Sequence, residues 1–219
     1  MIESLGRRLR VVFGRGTASG GPAEERPGDA ARATQKVEFV AYGEDCVLSG
    51  VVHMEADRLT DMLNDHDEYQ LVDVLVESLT VERAVEVSEV LVRRDELLLV
   101  HATGPRGNQD RRHRTRAHPV AIQVGPYHVR GYLHALPGAD PVLAIRRRKP
   151  MVPLTDAWIE FSSATGRQRR RVGAVVVNRE QIDWIVPAVD DEVEMPDLPI
   201  SADRGPLLKD FTGRLFEGL

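Results

Sequence analysis

Few residues in this sequence combine the type and the spacing that chemistry demands. Seven histidines are scattered through 219 residues. His53 and His134 fall at corresponding places in two similar segments, and neither segment supplies further ligands at the spacing a shared metal ion requires. They read as a pair with a common packing role. Asp73 and Asp156 correspond in the same way, each at the start of an apolar run. No second carboxylate or apolar pocket accompanies them to displace their titration, so they read as corner or turn-capping carboxylates and not as general acids. The one cysteine, Cys46, opens an apolar run and reads as a small core residue; a single thiol excludes an intrachain disulfide framework and a Cys-based zinc site. Neither G-x-x-x-x-G-K-[ST] nor G-x-G-x-x-G occurs, so no glycine loop is there to cradle a phosphate. The sequence thus indicates no catalytic residue, no metal, no cofactor and no small-molecule substrate.

What the chain does carry is charge, unevenly spread. The net charge is −5, but between Arg106 and Arg171 fourteen Lys or Arg face only Asp110, Asp140, Asp156 and Glu160, a local net of +10 that leaves −15 for the remainder. The basic residues fall in three clusters: Arg111, Arg112, Arg114 and Arg116; Arg146, Arg147, Arg148 and Lys149; and Arg167, Arg169, Arg170 and Arg171. The last two are expected to lie in loops flanking one strand and to join into a single patch. Such a surface suits phosphate, with steep salt dependence, and equally suits an acidic protein face. Aromatic residues are only 5% of the chain, which is sparse for stacking bases.

The elements that must position these residues are repeated. Val172 to Ala188 matches Val87 to Ala102 at an offset of 85 residues, each an apolar strand, a polar corner and a second apolar strand. Ahead of it, Val129-Arg-Gly-Tyr-Leu-His134 matches Leu48-Ser-Gly-Val-Val-His53 at an offset of 81, and Leu154-Thr-Asp156 matches Leu71-Val-Asp73 at 83. The drift is monotonic, as a duplication with small insertions requires. The first copy spans residues 36–102 and the second 118–189. Each holds five short runs with strand-like patterning, and Arg58 to Asn64 adds one helical turn to the first. That predicts a mainly β protein of two tandem five-stranded SH3-like or Sm-like small barrels.

Outside the copies the chain changes character. Ile2, Leu5, Leu9, Val12 and Phe13 make a helical stripe over residues 1–13, with Arg7, Arg8 and Arg10 off it. This predicts an amphipathic helix that packs on its own protein or on a copy of itself, with docking to another protein or to an anionic membrane surface as the alternatives. Residues 14–35 read as a flexible tether, 103–117 as a basic linker and 190–206 as an acidic, Pro-containing linker. Leu207, Leu208, Phe211, Leu215, Phe216 and Leu219 form a second helical stripe over 207–219, which either packs on the chain's own barrels or serves as a docking tail. No apolar run approaches the roughly 20 residues of a membrane span, and the composition reads as cytoplasmic.

Val129-Arg-Gly-Tyr-Leu, Leu154-Thr-Asp-Ala-Trp and Gly173-Ala-Val-Val-Val-Asn-Arg-Glu-Gln-Ile-Asp-Trp-Ile-Val-Pro187 together resemble the two Sm motifs. The chain also resembles an uncharacterised bacterial domain family with R-L-[ST]-D-x-L-N and a V-N-R-x-x-I-x-x-V-x-P closure, carried here by Arg58 to Asn64 and Val177 to Pro187. The Sm resemblance implies RNA contact through two loops. The second corresponds to Asn178-Arg179, where Arg replaces the family's Gly; the first is approximated by Asp61-Met-Leu-Asn64 in copy one and replaced by Asp140-Pro-Val-Leu in copy two. The expectation is a non-enzymatic adaptor or assembly scaffold that binds a protein partner or itself through its terminal helices and opposite charges. The alternative is RNA binding on the basic face of the second copy, through the arginines above with Asn178 and Arg179.

Overall fold

The computed structural model describes residues 35–54, 56–102 and 115–189. The first half contains β1 (Gln35–Tyr42), β2 (Cys46–Met54), α1 (Leu59–Asp65), β3 (Glu68–Ser78), β4 (Ala84–Arg93), a 3-10 turn at Arg94–Glu96 and β5 (Leu99–Ala102). The second repeats the order with β6 (Arg116–Val124), β7 (Tyr127–Ala135), α2 (Pro141–Arg146), β8 (Met151–Ser163), β9 (Gly166–Asn178), a 3-10 turn at Arg179–Gln181 and β10 (Trp184–Pro187). The protein is therefore mainly β. The strand β6 begins at Arg116, inside the stretch expected to be linker. Both terminal stripes and the cluster Arg111, Arg112 and Arg114 lie outside the described residues.

The expected separation into two barrels does not hold. All ten strands form one continuous antiparallel sheet in the order β10-β6-β7-β8-β9-β5-β1-β2-β3-β4. Neither half closes on itself, because β5 pairs with β1 and β9 instead of β4. The seam ladder is short, Leu99 opposite Val177 and Val100 opposite Val176. A local reading cannot see it, since it joins segments about eighty residues apart.

Two apolar cores result, and they trade residues. One is built from Phe39, Leu48, Leu71 and Val90 with their neighbours, yet includes Met151 and Val176 of the second half. The other is built from Ile122, Val129, Leu154 and Ile159, yet includes Tyr42, Leu98 and Leu99 of the first. Each fully buried aliphatic or aromatic side chain contributes roughly 1.5–3 kcal/mol of transfer free energy.

The duplicated aspartates explain how one sheet curves over both cores. Along β3 the buried positions are Tyr69 and Leu71, then Val74 and Val76; along β8, after Met151 at its start, they are Val152 and Leu154, then Ala157, Ile159 and Phe161. The alternation changes phase at Asp73 and at Asp156, the two non-glycine residues with positive φ among those described, 52° and 48°. Each is a bulge, with two residues of the strand opposite one glycine: the register slips between Ser49 and Val51 and between Arg130 and Tyr132. The aspartates thus sit mid-strand, not at the strand starts the sequence suggested. Asp is one of the few side chains that tolerates this conformation, through local hydrogen bonding. The facing glycines have no room for more: a Cβ on Gly50 would lie 3.0 Å from the Val72 carbonyl oxygen, and one on Gly131 3.1 Å from Ala157 Cβ. Asp73→Gly and Asp156→Gly are expected to be neutral or to gain up to about 1 kcal/mol, whereas Asp73→Val should lose about 1–2 kcal/mol. Urea midpoints decide it; a valine variant as stable as the parent would refute a conformational role.

Candidate interaction surfaces

The local fold disperses the basic patch. Arg146 ends α2, Arg147, Arg148 and Lys149 follow it, and all four precede Met151, which pairs with Asn178 at one end of the β8–β9 hairpin. Arg167, Arg169 and Arg171 pair with Ser162, Glu160 and Trp158 toward the other end, where Ser163 faces Gly166. The two clusters are separated by most of that hairpin and do not form the single patch expected. Arg116 is exposed at the start of β6.

Strand periodicity also splits the β9 cluster between two faces. Arg169 lies over Trp158, its guanidinium carbon 4.1 Å from the ring centroid, and Arg171 lies at 5.7 Å. Glu160 accepts from Arg167 Nη2 at 2.9 Å and pairs with Arg169 Nε at 3.2 Å. Arg170 turns the other way, over Phe161 at 5.5 Å. Cross-strand neighbours extend the outer face: Arg130 opposite Trp158, His128 opposite Glu160, and the His128 ring 5.7 Å from Trp184. Both tryptophans therefore lie on the outer surface of the second half, and Trp158 already has a cation against its ring.

Burial lowers the His128 pKa to about 4, with the Arg130 and Arg167 charges acting in the same direction and Glu160 opposing them. Burial lowers His101 as well, followed by the charge of Arg170. A histidine held neutral in the fold but free to protonate when unfolded costs stability only at low pH. The penalty is absent above about 6.5, the unfolded value, and grows as the pH falls toward about 4. Urea midpoints should fall across that window, and His128→Gln should flatten the slope; an unchanged slope would remove His128 as its source.

Of the residues expected to bind, Asn178 and Lys149 join the two halves, while Arg148 and Arg179 bond within the second. Asn178, 1% exposed, donates from Nδ2 to the carbonyls of Arg94 at 3.1 Å and Leu97 at 3.0 Å, and accepts from the Glu180 amide at 3.2 Å. Arg179 donates through Nε to the Arg148 carbonyl at 2.7 Å. Its counterpart Arg94 donates to the Asn64 and His66 carbonyls and pairs with Asp67 at 2.7 Å. Asn64, one of the approximated loop residues, donates to the Met151 carbonyl at 2.9 Å and accepts from the Met151 amide at 3.0 Å, clamping α1 onto β8. Lys149 pairs with Asp65 at 2.9 Å, and Arg148 donates to the His134 carbonyl. Arg146 and Arg147 remain exposed.

The paired histidines do not share a packing role. His53 is exposed, while His134 is half-buried with Nε2 2.8 Å from Thr155 Oγ1. Cys46 is buried at 2% exposure, and burial, followed by the charge of Asp45, pushes its thiol up to about 12. A thiol of that kind has a negligible thiolate fraction at neutral pH. Thiol reagents should label it only after unfolding; rapid labelling of the native protein would contradict this placement. No group of three or more His, Cys, Asp or Glu suited to a metal ion occurs among the described residues.

One feature had no readable signal in the sequence. Glu44, Asp45, Asp95, Glu96 and Asp183, far apart in the chain, line a single cleft at the seam with Leu98, Gly125 and Gln181. Asp183 Oδ2 accepts from the Gly125 amide at 2.9 Å, joining two of the lining residues. The surface thus carries a strongly acidic concavity as well as the basic end of α2. No helix among the described residues is long and apolar enough to cross a membrane.

No family model, no curated protein and no solved structure matches the chain.

Proposed function

We propose that this chain is a non-enzymatic adaptor or assembly scaffold, built from a duplicated small barrel-like unit of Sm-like or SH3-like strand order, that binds protein partners or itself. The observation that carries the reading is the state of the two sheet ends. Among the described residues β4 and β10 each have a strand neighbour on one side only. An unpaired edge is a row of backbone donors and acceptors ready for another chain. Segregated charge, an acidic seam cleft and a basic α2 end, adds complementarity.

The second reading, RNA binding on the outer face of the second half, draws on Arg167, Arg169 and Arg171 beside Trp158. Against it, Glu160 pairs with two of these arginines and Arg169 occupies a face of Trp158 that a base would need. Light scattering of the full chain, with fluorescent RNA and DNA titrations at two salt concentrations, separates the two. Self-association, or a stable protein complex without oligonucleotide affinity, is expected. Tight, salt-sensitive oligonucleotide binding by a monomer would replace the scaffold reading with the other.

A further inference from the structure

The two strands that end the sheet among the described residues are not arbitrary surfaces, because the chain already contains a joint made from their counterparts. Phe39 faces Gly50 as Val120 faces Gly131; Tyr42 faces Leu99 as Gln123 faces Trp184; Tyr69 faces Val92 as Val152 faces Val177. Register for register, β10 is therefore the counterpart of β5, and β4 the counterpart of β9. Inside the chain β5 joins β9. One strand of each kind is left over at the two ends of the sheet.

We infer that copies of this chain join head to tail, β10 of one copy adding to β4 of the next, with Trp184 opposite Val92 and Ile185 opposite Leu91. The proposal rests on the scaffold reading and makes it specific. The register is that of the internal seam, where Leu99 faces Val177 and Val100 faces Val176. Four-residue β10 is no shorter than four-residue β5. Pro187, which lacks an amide donor, stands at the Ala102 position, beyond the last residue pair of the internal ladder, and so does not block the joint.

The groups flanking the joint are also suited to it. Internally the end of α1 clamps the start of β8 through Asn64 and Met151. At the free ends the corresponding groups are Arg146 and Arg147, at the end of α2, and Glu68, at the start of β3; all three are exposed and their charges are opposite. Arg93 stands where Asn178 stands; its Nε and Nη2 are held by Asp95 at 3.1 and 2.8 Å, which leaves Nη1 as the donor at the position from which Asn178 reaches two carbonyls. A heterologous contact of this kind repeats, closing into a ring if the rotation per copy permits and otherwise growing as a filament.

The test uses the full chain carrying Leu91→Cys and Ile185→Cys together. Directly opposed strand residues lie within disulfide reach, and β4 and β10 stand at opposite ends of the sheet, so the expected product is a ladder of disulfide-linked multimers on a non-reducing gel. Either single variant places its cysteine opposite Ile185 or Leu91 and should form no cross-link through the joint. Leu91→Cys with Val186→Cys, one residue out of register and on the other face, should not form a ladder. Separately, Arg146→Glu with Arg147→Glu should weaken self-association at low salt at least about tenfold, and adding Glu68→Arg should restore it. A monomer at all concentrations, an equal ladder from the shifted pair, or no effect of charge reversal would overturn the proposal. Self-association that persists without a ladder from the registered pair would sink this joint alone and leave the scaffold reading standing; salt-sensitive oligonucleotide binding by a monomer would sink both.

Discussion

Tyr127→Ala is expected to destabilise the protein by about 4 kcal/mol, the cost typical of removing a fully buried aromatic ring. Tyr127 is 0% exposed and sits where the two halves meet, its ring 5.3 Å from Tyr42 of the first half and 5.4 Å from Phe161 of its own. Its hydroxyl donates to the Gly43 carbonyl at 2.7 Å, and burial raises its pKa far above that of a free phenol, so the group stays a donor throughout the working pH range. Tyr127→Phe separates the contributions. It keeps the ring and leaves the Gly43 carbonyl without this donor, for about 1–2 kcal/mol. For a domain of this size 4 kcal/mol corresponds to a fall in Tm of roughly 8–16 °C. Thermal and urea unfolding of the two variants measure both. A loss below about 1 kcal/mol for the alanine variant would mean that the aromatic cluster does not hold the halves together.

The second large effect is expected at Asn178, where Ala should cost about 3 kcal/mol. Truncation leaves the carbonyls of Arg94 and Leu97 buried without this donor and opens a small void; an abandoned buried polar group costs about 1–3 kcal/mol. Asn178→Asp is the informative companion. It keeps an acceptor for the Glu180 amide but sets carboxylate oxygen against two carbonyl oxygens, so it should do no better than alanine. Wild-type stability in the aspartate variant would show that the amide donors are dispensable.

How much of this was legible in the sequence depends on the range of the interaction. Strand alternation is local, and the strands were readable nearly to their ends; so was the repeat, whose offsets of 81 and 85 reappear in the facing of Gly50 and Gly131 and in the pairing of β5 with β1 and of β10 with β6. The helix α2 has a local signal too: Asp140-Pro141 is an N-cap followed by a first-turn proline, and the Asp140 carboxylate accepts from the Val142 amide at 2.8 Å. The phase changes at Asp73 and Asp156 were visible as breaks in alternation, yet nothing local distinguishes a bulge from a strand start. What sequence spacing could not supply was the seam. It depends on two residue pairs and on Asn64 and Asn178 meeting backbone 81 to 87 residues away. The arginines misled for a related reason. A run of basic residues looks like one surface, but the pleat sends Arg170 to one side and its neighbours to the other, while the length of a hairpin separates them from α2.

The exchange of Met151 and Val176 for Tyr42, Leu98 and Leu99 between the two cores has a consequence for how this protein can be taken apart. Cutting the chain between the copies would leave each fragment with a hole in its interior and a torn apolar flank. The duplicated halves should melt as one cooperative unit, and the smallest piece able to fold independently contains both.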